Sequence, residues 1–171
     1  MKETLMDTKN FKNLCDRLLK KYEFKKKKTM YYKDSNDGIR CGVYLQRSYY
    51  GKVYYFNYYY FLDNSDVKVF PQYFEADVYG RITVLSKIKD WDYNYHQTAL
   101  IEYELYEEKE LEEYLEKGIQ DEILLPVKKG RQVIYDMVKS GICIIYKFRS
   151  KEEEEVMQKL YDFKTGEGQK S

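Results

Sequence analysis

The sequence predicts an α+β fold: an antiparallel sheet of four to five strands in meander order, with N- and C-terminal helices packed on one face. Three observations predict it. The apolar period is helical up to residue 22, switches to two near Thr29 and returns to helical spacing near Glu107. The segments of period two are joined by turns too short for the crossover that parallel pairing requires. The chain has 171 residues, 43% hydrophobic and 35% charged. That is long enough to bury a core without disulfides or metal, and too polar for a membrane protein.

The first element is a helix. Phe11, Leu14, Cys15, Leu18, Leu19 and Tyr22 recur at one face of a 3.6-residue period. Asp7 or Thr8 can cap its start, and Lys20 and Lys21 fall in the last turn, where the dipole favours cations. The run Lys25, Lys26, Lys27 and Lys28 follows, and such runs are solvated faces.

Residues 29–33 then read as a strand, residues 35–38 (Ser-Asn-Asp-Gly) as a turn, and residues 39–48 as a second strand. In that strand Ile39, Cys41, Val43 and Leu45 point one way, and Arg40, Tyr44 and Gln46 the other. After a turn at Gly51, residues 53–62 form a third strand. Its two faces carry Tyr54, Phe56, Tyr58, Tyr60 and Leu62 against Tyr55, Asn57, Tyr59 and Phe61.

Residues 64–76, with Pro71, read as a long loop. A fourth strand is expected over residues 77–88, with Val78, Ile82, Val84 and Ile88 inward and Tyr79, Arg81, Thr83 and Leu85 outward. A fifth is expected over residues 98–105. Helices follow at residues 108–117 and 131–139, with Gly118 as a break between elements. Residues 142–148 suit a short strand, and Ser150 with Glu153 has the capping-box spacing that opens a last helix. Without repeat or linker, the expectation is one domain over residues 1–165 and a disordered tail at 166–171.

Net charge is +1, so no global field steers the chain to polyanions, although residues 1–85 carry a basic excess and residues 86–171 an acidic one. Cys15, Cys41 and Cys143 sit among apolar neighbours with no paired spacing. They read as buried free thiols of a cytoplasmic protein, and no signal peptide is evident. His96 is the single histidine, so neither a zinc site nor a triad is indicated, and no glycine-rich phosphate loop is present. No catalytic constellation, metal or organic cofactor is expected.

The 21 tyrosines are the unusual feature, crowding residues 49–60. With one face of the sheet on the helices, the other is expected to present Arg40, Tyr44, Gln46, Tyr55, Asn57, Tyr59, Tyr79 and Arg81. Tyrosine and arginine are enriched where proteins bind proteins. The expectation is therefore a non-enzymatic protein-binding module with an unidentified protein partner, of adaptor or immunity type. Single-stranded nucleic acid on the same face is the alternative, and an uncharacterised enzyme the third reading.

The order of pieces resembles a known family. YEFKKKKTMYYK at residues 22–33 is similar to the opening motif GFKK-x-fyr of the bacterial domain-of-unknown-function 4304 family. VYLQRS at residues 43–48 is similar to its lQkS strand, and ILLPV at residues 123–127 to its ilP segment. Where that motif has glycine before Phe24, this chain has Glu23. The resemblance covers most of residues 11–139 and implies a single α+β domain of bacterial type, with no activity to carry over.

Overall fold

Helix α1 (Thr8–Lys21) forms where the apolar stripe requires it. Asp7 caps it, accepting from the Asn10 amide at 2.7 Å, and Phe11, Leu14, Cys15, Leu18 and Leu19 are fully buried. The structure, a computed structural model, describes residues 5–35, 37–62, 68–145 and 155. The expected last helix and the tail therefore lie outside the described residues, apart from Glu155.

Strands β1 (Lys25–Lys27), β2 (Met30–Asp34), β3 (Arg40–Arg47), β4 (Tyr54–Phe61) and β5 (Val78–Arg81) make a five-stranded antiparallel meander. The hairpin turn sets the β2–β3 register at Asp34 opposite Arg40, and β3 then runs antiparallel to β4 from Arg40 opposite Phe61 to Arg47 opposite Tyr54. The lysine run is thus partly strand. Its three β1 residues are exposed at the sheet edge, where lysines discourage pairing with another chain.

The expected fourth strand is divided. After β5, Ile82 turns inward and the chain leaves the sheet to form β6 (Val84–Leu85), which pairs with β7 (Gln97–Thr98) in a separate hairpin. Ile88, expected inward, is 55% exposed beyond that hairpin. The expected fifth strand keeps only Thr98 in β7. Ile101 bridges to Tyr54, and Tyr103–Leu105 is a 3-10 turn, with Ile101 and Tyr103 both buried.

Helix α2 (Glu108–Gly118) does not break at Gly118. It passes into a π-helical stretch, Ile119–Leu124, and on into α3 (Leu125–Lys129). Gly118 serves close approach instead, since a Cβ there would lie 2.6 Å from Cγ2 of Ile82. Helix α4 (Arg131–Lys139) follows Gly130, and β8 (Ile144–Ile145) adds a sixth strand beside β5.

One face of the sheet meets the helices. Tyr54, Phe56, Tyr58 and Tyr60 of β4 join Cys41, Val43 and Val78 in one core with α1, α2, the π-helical stretch and α4. Their hydroxyls reach polar partners: Tyr60 donates to the Glu122 carbonyl at 2.5 Å, and Tyr31 donates to Asp16 at 2.7 Å. A smaller core of Met30, Tyr32, Tyr59, Phe61 and Ala76 lies on the opposite face.

Candidate functional site

That second core exists because the long loop returns across the helix-free face. Residues 69–76 form a strap over β2, β3 and β4, and Arg40 is its anchor. The guanidinium donates from Nε and Nη2 to both carboxylate oxygens of Asp34, at 2.6 and 3.1 Å, and from Nη1 to the Val69 carbonyl. It also lies 4.9 Å from the centre of the Phe70 ring. Tyr32 donates to the Pro71 carbonyl, and Tyr73 stacks on Tyr44 at 5.0 Å with the rings 9° apart. A buried charge is tolerated only when paired and hydrogen-bonded, and Arg40, fully buried, is both.

Beside the strap runs a polar row across three strands. Asn57 donates to Gln46 Oε1 at 2.8 Å and accepts from Arg81 Nε at 3.0 Å. The Arg81 guanidinium stacks over Tyr55, 4.1 Å from the ring centre. Tyr59 packs between Tyr73 and Tyr79, at 5.8 and 6.2 Å.

The eight residues expected on an open face are therefore brought together but divided by depth. Arg40, Asn57 and Tyr59 are buried and hold the strap and the row in place, which corrects their expected exposure. Tyr44, Gln46, Tyr55 and Tyr79 are half-buried, and Arg81 is exposed. What covers Arg40 and Tyr59 is the strap, whose own outer side chains are exposed: Val69 and Phe74 are 57% and 53% exposed, with Phe70 and Tyr73 at the border. The signal that could have found them is the aromatic content of VFPQYF, residues 69–74, in a stretch otherwise read as loop.

At the end of the strap, Tyr44, Gln46, Arg47, Ser48, Tyr49 and Tyr73 line a cavity of about 540 Å³. Elsewhere, Ser86 Oγ lies 3.5 Å from His96 Nδ1 but donates at 3.0 Å to the Ile88 carbonyl, so the pair braces the β6–β7 hairpin. Among the described residues no three His, Cys, Asp or Glu side chains converge as a metal site, and no helix is long and apolar enough to cross a membrane.

No curated protein and no solved structure matches this chain. A family model described as "Domain of unknown function (DUF4304)" matches residues 15–127, more than half of the chain. The match runs from Cys15 in α1 to Val127 in α3 and so takes in the strap and the whole meander. The chain belongs to that family.

Proposed function

We propose that the protein is a non-enzymatic protein-binding module of the bacterial cytoplasm, of adaptor or immunity type, that docks its partner on the strap and the row beside it. One observation carries this reading: Val69, Phe70, Tyr73 and Phe74 expose apolar surface on a loop fixed from below by Arg40 and Tyr32, next to Tyr79 and Arg81. Exposed aromatics and arginine on a rigid base are the side chains and the setting from which binding hot spots are built. Fixing the strap beforehand spares the ordering cost of association. Lys27, 4.9 Å from the Phe70 ring, and exposed Arg81 make the rim basic, so the complementary partner surface is apolar at its centre and acidic at its edge.

The test is affinity capture from the native host with wild type beside Phe74→Ala/Arg81→Ala. Because Arg81 also donates to buried Asn57, melting curves establish that the variant is folded before capture is compared. A partner whose affinity falls at least tenfold in the folded variant, and whose capture by wild type survives moderate salt, supports the reading. Partners retained equally by both proteins would sink it.

A further inference from the structure

A second surface lies around the sheet edge from the strap. Lys12, Lys20, Lys26, Lys28 and Arg47 line a groove of about 720 Å³ between α1 and the β1–β3 edge, floored by Tyr31 and Tyr54. Its one carboxylate, Asp16, is occupied by Lys20 at 2.8 Å and by the Tyr31 hydroxyl. Among the described residues, Lys12, Lys26, Lys28 and Arg47 form no ion pair. In a chain of net charge +1, this is a local excess of positive charge with little internal compensation.

The backbone contributes to it. Lys28 sits at φ +56° in the turn after β1, a conformation that costs an L-residue and is ordinarily left to glycine. Alternation along β1 sends Lys27 to the Phe70 ring and Lys26 to the Tyr31 ring on the groove side. Solvation alone does not ask for a common groove. At the far end Arg47 and Tyr44 also line the cavity that Tyr49 borders. Tyr49 and Tyr50, at the tip of the β3–β4 hairpin, are 100% and 97% exposed.

We propose that this groove binds single-stranded nucleic acid, the lysines and Arg47 following the phosphates while Tyr49 and Tyr50 stack on bases. A basic track with exposed rings at its end is the arrangement by which single strands are held without sequence preference. A ring-free polyacid such as poly-glutamate would use the cations but would leave the two exposed tyrosines without a stacking partner. Its cations and the two hairpin-tip tyrosines are not strap residues, so the proposal stands whether or not the strap docks a protein.

The experiment is fluorescence anisotropy with a labelled twelve-nucleotide oligo(dT), titrated with the full chain at several salt concentrations, with poly-glutamate of equal charge as competitor. Wild type should bind, with affinity falling as a power of salt concentration. In Lys26→Ala/Lys28→Ala the slope of log affinity against log salt should shrink by about 1.4, for two lost phosphate contacts at roughly 0.7 each. Tyr49→Ala/Tyr50→Ala should weaken binding about tenfold or more with the slope unchanged. All four side chains are exposed, and matching melting curves establish that the variants fold. Phe74→Ala/Arg81→Ala should bind the oligonucleotide as wild type does, which separates this site from the strap. No binding at low salt, a slope indifferent to the lysines, an affinity indifferent to the tyrosines, or displacement by poly-glutamate as effective as by unlabelled oligo(dT) would each overturn the proposal.

Discussion

Glu122 is a carboxyl whose proton affinity the fold raises. Burial, then repulsion from Asp121, pushes its carboxyl from near 4.5 up to about 7, while the Thr83 amide donating to it acts the other way. The folded pKa is the higher one, so between those values the folded state keeps a proton that the unfolded state has released. This contribution to stability is fully present below about 4.5 and is lost as pH rises through about 7. Glu122→Gln removes the titration and keeps a polar amide. Its stability, read from denaturant midpoints between about pH 4 and pH 8, should gain steadily on that of wild type as pH rises. Parallel curves would mean that Glu122 ionises equally well in both states. Arg40 shows a different lesson at this scale. Its type suits an interface and a buried bidentate pair equally well. The hairpin register places Asp34 opposite it, and that pairing, which the sequence did not reveal, decides its role.

At the scale of elements, the end of α1 explains where this chain departs from its family's opening motif. The Phe24 amide donates to the Leu19 carbonyl and the Glu23 amide to that of Lys20, both at 3.0 Å. That double closure needs a left-handed residue after the helix, and Glu23 supplies it at φ +68°. Glycine adopts that conformation without a Cβ penalty. Glu23→Gly should therefore raise stability by about 0.5–1 kcal/mol in chemical denaturation. The opposing loss is small, because the Lys33–Glu23 pair at 3.4 Å has its carboxylate side chain 86% exposed. A destabilised variant would show that the Glu23 side chain does more than fill a backbone position. The same local logic failed after β5, where periodicity continued a strand that the approach of Ile82 to Gly118 ends.

Across the whole molecule, the larger core holds all three thiols out of reach. Cys15, Cys41 and Cys143 are free and buried, and burial is the main force raising each thiol, Cys143 to about 11 and the other two further. Native protein at about pH 8 should react negligibly with a thiol reagent over minutes. Denatured under non-reducing conditions, it should release three equivalents. Fast reaction of the native form would mean that one of these sites opens readily, and a single equivalent on denaturation would mean a disulfide.

The sequence by itself determined α1, the turn at residues 35–38, the alternation of β2 to β4 and the three buried cysteines. Each rests on contacts a few residues apart, or on a side-chain period that the backbone enforces. It also identified the tyrosine-rich face, because an aromatic β4 has two sides and helices cover one. Only the tertiary structure decided how much of that face remains open. Whether residues 69–76 fold back over Tyr59 or stay in water depends on Arg40, Tyr32 and Tyr44 meeting a loop some 30 residues away, through contacts that leave no period in the chain. The basic groove was hidden for the same reason. Lys12, Lys26 and Arg47 lie on three elements, and only folding gathers their charges along one edge.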